Sequence, residues 1–365
     1  MGRVVIAPGE KIRVLVVDDS VVIRRLVSQA LAGVEGIETV GIASNGLIAL
    51  ERIAQLRPHV VTLDIEMPEM NGLEALKQIR TRFPDVVVIM FSTLTGPGAS
   101  ATLEALALGA NDYITKASST GVAGGCGIEQ AIAALREELV PKIRQFFRAE
   151  ELPPAPPPQM TVSAAISRPR ERSVVAIGVS TGGPSALAEI LPQFPAGFPA
   201  PILIVQHMPP LFTRLLAERL QRNSPLRIEE AQDGMPVEPG LVLIAPGDYH
   251  MRLRAKGLGF AVALDQGPPE NSCRPAVDVL FRSVAECYGG AAVAAVLTGM
   301  GQDGLRGVQL LKARGAYILA QDEASSVVWG MPGYVARSGL ADAILDLHRV
   351  VPAITHHWEA RVGRA

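Results

Sequence analysis

A chain of 365 residues, 48% hydrophobic and 19% charged, is long enough for two domains that each bury a core. A formal net charge of −2 offers no positive field for nucleic acid or an anionic membrane. No apolar run is long enough to insert into a bilayer, and no signal-peptide h-region precedes the first strand. The cysteines, Cys126, Cys273 and Cys287, have neither metal-ligand spacing nor a disulfide pattern, which points to a reducing cytoplasm and to loop or core roles.

In chain order, residues 12–17 form a β-branched run that ends in Asp18-Asp19-Ser20. Ile23, Leu26, Val27, Ala30 and Leu31 then recur at helical spacing. Strand-like runs at 38–43, 59–63, 86–91 and 112–115 alternate with helical stripes such as Leu73, Leu76, Ile79 and Phe83. A last helix carries Ile128, Ile132, Leu135, Leu139, Ile143 and Phe146. Five βα units predict a doubly wound parallel sheet, in which function gathers at the carboxyl ends of the strands. Those ends supply Asp18 and Asp19, then Asp64, then Ser92 and Thr93, then Lys116. Three converging carboxylates repel one another unless a hard cation sits among them, and oxygen ligands of this kind suit Mg²⁺. A carboxylate beside Mg²⁺ and a lysine can accept a phosphoryl group, because both cations neutralise the transferring oxygens. Taken singly, an Asp-Asp pair is a solvated loop and a lone lysine a surface residue; four strand ends of the right type together outweigh that reading.

The pieces Val-Val-Asp-Asp-Ser (16–20), Leu-Asp-Ile-Glu-Met-Pro-Glu-Met-Asn-Gly (63–72), Ser92 and Asp-Tyr-Ile-Thr-Lys (112–116) resemble the receiver domain of two-component response regulators, over residues 11–147. The resemblance implies Asp64 as phospho-acceptor, and Asp18, Asp19, Asp64 and the backbone carbonyl of Glu66 as metal contacts. It implies Ser92, Tyr113 and Lys116 as the residues that answer phosphorylation. Ala117 stands where the family usually has proline, which puts a cis-peptide turn there in question.

Five prolines between Pro153 and Pro158, followed by Ser, Thr and Arg, mark residues 148–172 as an extended spacer. Beyond it the strand–helix alternation resumes over 173–360, with an antiparallel segment expected at 241–254, a second mainly parallel α/β domain. The strand 174–179 runs into Gly178-Val179-Ser180-Thr181-Gly182, which fits G-x-S-x-G, a nucleophile on a strand-to-helix turn. On its own such a motif is most often simply a turn. The strand 202–205 passes through Gln206 to His207, and 292–297 leads to Thr298-Gly299-Met300-Gly301-Gln302-Asp303. If these strands are neighbours, Ser180, His207 and Asp303 share one rim, as a serine relay requires. The order Ser…His…Asp argues against an α/β-hydrolase, whose order is Ser…Asp/Glu…His. Asp248, Asp265, Asp278 and Asp322 are rival acids for which turn and surface roles suffice, and His250 is a rim or structural residue.

The blocks 178–184, Gln-His-Met-Pro (206–209), Ile-Ala-Pro-Gly-Asp-Tyr-His (244–250) and Leu-Thr-Gly-Met-Gly-Gln-Asp-Gly (297–304) resemble the catalytic domain of the chemotaxis protein-glutamate methylesterases, the CheB type. That resemblance implies Ser180 as nucleophile, His207 as general base and acid, and Asp303 as the orienting acid. Thr181 and Met300 would border the oxyanion site, and no cofactor is implied for this domain. Cys273-Arg274-Pro275 falls where the family has residues near the substrate entrance, with no catalytic role implied for Cys273. The implied substrates are methylated, methyl-accepting chemoreceptors, with receptor glutamines deamidated by the same acyl chemistry. The implied phosphodonor is a chemotaxis histidine kinase, and the receiver is expected to block the Ser180 rim until Asp64 is phosphorylated. Two other readings remain: an output domain that only binds, and an unrelated serine esterase. The first lacks G-x-G-x-x-G, because Ser180 takes the middle glycine position, and lacks a P-loop; the second would need a small-molecule pocket.

Overall fold

A computed structural model describes residues 9–116, 127–147 and 173–362, with side chains to residue 359. The proline-rich stretch 148–172, Ala117 and Cys126 lie outside the described residues. The chain divides into two compact units, Met1–Glu150 and Glu151–Ala365.

The first unit alternates β1 (Ile12–Val17), α1 (Val21–Leu31), β2 (Ile37–Ala43), α2 (Gly46–Leu56), β3 (Val60–Asp64), α3 (Gly72–Arg82), β4 (Val87–Ser92), α4 (Gly96–Ala107), β5 (Asp112–Thr115) and α5 (Ile128–Arg144). The helices start where the sequence offers caps: Ser20 accepts from Ile23 N–H, Asn45 from Ile48 N–H, and Asn71 forms a capping box with Glu74. The strands pair in parallel in the order β2-β1-β3-β4-β5. β3 and β4 are buried along their whole length, as a sheet covered on both faces requires. Strand order reverses between β1 and β3, so the residues after those strands lie at the switch point, where such sheets open a crevice.

The second unit holds β6 (Val174–Val179), α6 (Gly183–Ile190), β7 (Ile202–Gln206), α7 (Phe212–Gln221), β8 (Arg227–Glu230), β9 (Leu241–Ile244), β10 (His250–Lys256), β11 (Gly259–Asp265), α8 (Val277–Cys287), β12 (Ala292–Val296), α9 (Leu305–Ala313), β13 (Tyr317–Gln321), α10 (Met331–Arg337), β14 (Ala343–Leu345) and α11 (Leu347–Val362). Its seven-stranded sheet runs β14-β13-β12-β6-β7-β9-β8, and all of its pairs are parallel. Only the second part of the segment 241–254 pairs antiparallel as expected. Leu241–Ile244, apolar and buried throughout, joins the parallel sheet, and the break at Pro246-Gly247 lets β10 pair with β11 as a separate hairpin. His250 therefore begins the hairpin rather than ending a strand from 241.

One face of the large sheet packs Ala176, Leu203 and Val205 against Leu280, Phe281 and Val284 of α8, Val308 and Leu311 of α9, and Met251 and Val262 of the hairpin. Each fully buried side chain of this size stabilises the unit by about 2 kcal/mol. The core fixes three adjacent strands, β12, β6 and β7, in the middle of the sheet.

Candidate active site and phospho-acceptor site

In the first unit Asp64 ends β3 and Asp18 follows β1; both are buried, whereas Asp19 is exposed. One carboxylate oxygen from each of the three lies within 4.8 Å of the others. Lys116 Nζ stands 2.8 Å from Asp64 Oδ2 and 3.1 Å from Asp18 Oδ2. Burial, then the charge of Asp18, pushes the Asp64 carboxyl up to about 6 against the pull of Lys116. Burial also raises Asp18. One ammonium is thus set against two buried carboxylates, and the hard oxygen set fits a further divalent cation such as Mg²⁺. The Glu66 side chain is exposed and outside this cluster, while its backbone N–H donates to Asp64.

Ser92 ends β4 and is buried with its hydroxyl turned toward α4. Ser92 Oγ, Thr102 Oγ1 and Gly98 O form a closed triangle with sides of 2.5, 3.0 and 2.8 Å. Tyr113 is buried on β5, its ring 5.2 Å from Lys142 Nζ, and burial raises its phenol well above the ordinary value. Thr102 had no signal in the sequence, where it reads as one more residue of a helix.

In the second unit Val179 pairs with Gln206, so Ser180 and His207 follow at matching positions on adjacent strands, and His207 N–H donates to Val179 O at 3.2 Å. On the other side Ser180 N–H donates to Thr298 O at 3.0 Å. The Gln206 amide reaches the Ser180 carbonyl at 2.9 Å and the His207 carbonyl at 3.3 Å, tying the two backbones together. Two glycines make the close packing possible. Gly182 has φ +80°, and a Cβ there would meet Val327 at 2.7 Å; a Cβ on Gly299 would meet Ser180 Cβ at 2.7 Å. Thr181 and Gly182 then lead into α6, whose positive dipole end favours a developing negative charge nearby. The Thr181 carbonyl accepts from Thr298 Oγ1 at 2.9 Å, and Met300 lies half-buried on the neighbouring loop.

His207 Nε2 and Asp303 Oδ2 are 2.8 Å apart. Asp303 is buried, and its carboxylate also accepts from the backbone N–H groups of Val277, Asp278 and Gly304 and from the Asn271 amide, at 2.6–3.0 Å. Burial opposes its ionisation, yet the His207 hydrogen bond and charge together with these donors hold the carboxyl below its ordinary value. The rival acids are engaged elsewhere: Asp248 with Arg274, Asp265 with Arg252, Asp322 with Ser325, and Asp278 with Gly307 N–H and Asn271. His250 is buried between Pro268 O and Ala276 N–H. The structure brings His207 and Asp303 into contact and sets Ser180 beside them, but Ser180 Oγ makes no hydrogen bond among the described residues. The second ring nitrogen of His207, Nδ1, instead faces Cys273 Sγ at 3.6 Å. Burial disfavours the imidazolium, but Cys273 and Asp303 outweigh it and raise His207 to about 10. Asn271 carries no signal in the sequence, and Cys273, placed near the substrate entrance by resemblance, none for its contact with His207, because both lie in an irregular loop with no periodicity to place them.

A response regulator receiver domain model matches residues 14–122, and a CheB methylesterase model matches residues 175–354. Fold and matches together define a response regulator with an enzymatic output domain. A protein-glutamate methylesterase/protein-glutamine glutaminase of Trichodesmium erythraeum is 49% identical over 350 residues, covering 94% of this chain and 98% of the relative. A protein of the same description from Nocardioides is 49% identical over 355 residues, 95% of each chain. The Thermotoga maritima CheB methylesterase catalytic domain is 45% identical, covers 50% of this chain and 96% of its own, and superposes with a TM-score of 0.49. The chain belongs to the protein-glutamate methylesterase/protein-glutamine glutaminase family.

Proposed function

We propose that this protein hydrolyses glutamate methyl esters on chemoreceptors, and deamidates receptor glutamines, to adapt a chemotaxis system, with phosphorylation of Asp64 raising the rate. The observation that carries the reading is the His207–Asp303 pair at 2.8 Å on the rim where Ser180 leaves the adjacent strand.

Ser180 Oγ attacks the ester carbonyl while its proton passes to His207, the base. Asp303 holds the ring by Nε2 and stabilises the imidazolium that forms. The oxyanion is met by backbone N–H groups near Thr181 and bordered by Met300; one well-placed donor is worth roughly 10²–10³ in rate. Collapse expels the methoxy group, which takes the proton from His207 and leaves as methanol. Water then gives a proton to His207, attacks the acyl-enzyme and frees glutamate and Ser180. With glutamine the leaving group is ammonia.

In the receiver, Asp18, Asp19 and Asp64, with the Glu66 carbonyl, would hold Mg²⁺, which when bound neutralises charge on phosphoryl oxygens. Asp64 accepts the phosphoryl group from a chemotaxis histidine kinase, Lys116 pairs with it, and Ser92 and Tyr113 answer it. The protein acts in the cytoplasm on receptor helices; no helix among the described residues is long and apolar enough to cross a membrane.

Methanol release from methylated receptor, with and without a phosphodonor, tests the reading. It should rise with the donor, lose that rise in Asp64→Asn and vanish in Ser180→Ala. Turnover of small esters with none of receptor would replace it with an unrelated esterase.

A further inference from the structure

We propose that the Cys273 thiol competes with Ser180 for Nδ1 of His207 and thereby sets the pH at which the esterase works. The inference rests on the serine relay proposed above and adds a positioning residue to it.

The imidazole has two nitrogens, and Asp303 occupies Nε2. Nδ1 is the lone pair left for the serine proton, and Cys273 Sγ stands 3.6 Å from it. Among the described residues, Ser180 Oγ has no hydrogen bond of its own. The thiol is not an accidental neighbour. Its loop exchanges backbone hydrogen bonds between Glu270 and Cys273, at 3.1 and 2.9 Å. Glu270 pairs through both carboxylate oxygens with Arg282 of α8, and Arg274 binds Asp248 and the carbonyls of Gln266 and Gly267. Asn271 and Ser272, neither of them glycine, are held at φ +50° and +62°. Such conformations persist only where neighbours over-determine them, and here the result is a sulfur aimed at the base.

The chemistry follows from acidity. An ordinary thiol titrates near 8.5, far below a serine hydroxyl, and so yields its proton to imidazole more readily. The S–H bond breaks, an N–H bond forms at Nδ1, and a thiolate–imidazolium pair results, which Asp303 stabilises from the other side. An imidazolium cannot take the proton of Ser180. The titratable groups facing the ring are Cys273, from the loop before α8, and Asp303, from the loop before α9. Asp278 of α8 lies one step behind Asp303, joined through the Asn271 amide. β6 presents Ser180, which does not titrate in this range. The raised pKa of His207, with Cys273 and Asp303 both contributing against burial, agrees with this pairing. Turnover then requires the substrate to move Nδ1 from sulfur to the serine oxygen.

The test is the pH dependence of kcat/KM for methanol release from methylated receptor by the full chain, comparing the parent with Cys273→Ser and Cys273→Ala. Serine keeps the volume and a hydrogen bond but cannot form the ion pair. Both variants should move the acid limb down by ~1 pH unit or more, a tenfold change in base availability at pH 7. Coincident limbs in all three proteins would overturn the inference. His207 ring titration by NMR, in Ser180→Ala with and without Cys273→Ser, gives the same shift without relying on turnover; an unmoved ring again overturns it. If Ser180→Ala retained hydrolysis, the serine relay itself would fall. If Ser180→Ala is dead while the limbs coincide, only the role of Cys273 falls.

Discussion

The two units solve one electrostatic problem in opposite ways. Each is a parallel sheet that delivers carboxylates to the ends of neighbouring strands. In the receiver, Asp64 and Asp18 are buried with a single ammonium between them, and the Asp64 carboxyl rises to about 6. In the second unit, Asp303 is as deeply buried but collects five donors, and its carboxyl falls. Topology places a charge; the local donors decide whether it is finished. The receiver carboxylates are left short of positive charge, which suits a site that must gain a cation and a phosphoryl group. Asp303 is complete in the resting protein, which suits a group that orients a base and itself stays ionised.

The largest effect expected from this contrast is at Asp303. Asp303→Ala removes the acceptor of a buried imidazole and leaves four further donors unmatched. Methanol release should fall by on the order of 10³ or more, read as kcat with KM little changed. A drop below tenfold would mean that the imidazole is oriented by other groups.

Asp64→Asn should act in the other direction, on stability. The folded pKa of Asp64 lies above its unfolded value of 3.8, so ionisation between about pH 4 and 6 costs the folded state. Relative to the parent, the variant should gain nothing below about pH 4 and about 3 kcal/mol above pH 6 without Mg²⁺. Denaturant unfolding of the receiver transition across this pH range reads the gain, and Mg²⁺ should stabilise the parent more than the variant. A pH-independent difference would show that the cluster carries no charge deficit.

Asn271→Ala removes one of the five donors to Asp303, and the loss should be about tenfold in kcat. Asn271→Asp would add repulsion and should be worse. Equal, full activity in both would restrict the amide to holding its loop.

The smallest effect concerns Thr102. Thr102→Val keeps the volume but opens the hydroxyl triangle that turns Ser92 toward α4. Freed of this bond, Ser92 should favour the phosphorylated arrangement by about 1 kcal/mol, roughly fivefold in the affinity of the receiver for a phosphoryl mimic such as beryllofluoride. An unchanged affinity would remove Thr102 from the switch.

Much of both sites was legible because strand ends are legible. An apolar run of five or six residues announces a buried strand, and the residue after it must lie at the sheet's edge. Asp18, Asp64, Ser180 and His207 could each be located in this way before any coordinates. What the pattern missed depends on chain segments without a period. Asn271 and Cys273 reach His207 and Asp303 through two left-handed non-glycine residues, a path that nothing in their residue types requires. Thr102 fits a helix whether or not its hydroxyl meets Ser92. The start of the antiparallel segment is illegible for a related reason: Leu241–Ile244 is apolar on both faces, and such a run does not itself declare which strand it joins.

Ser180 is held by its backbone: its N–H rests on Thr298 O, its carbonyl on the Gln206 amide, and Gly299 closes against its Cβ. Its hydroxyl carries no part of that scaffold. Ser180→Ala should therefore be an intact surface with its chemistry removed, able to engage a methylated receptor helix and unable to let it go as product. On the proposed relay, that makes Ser180 a handle for isolating the encounter between enzyme and receptor.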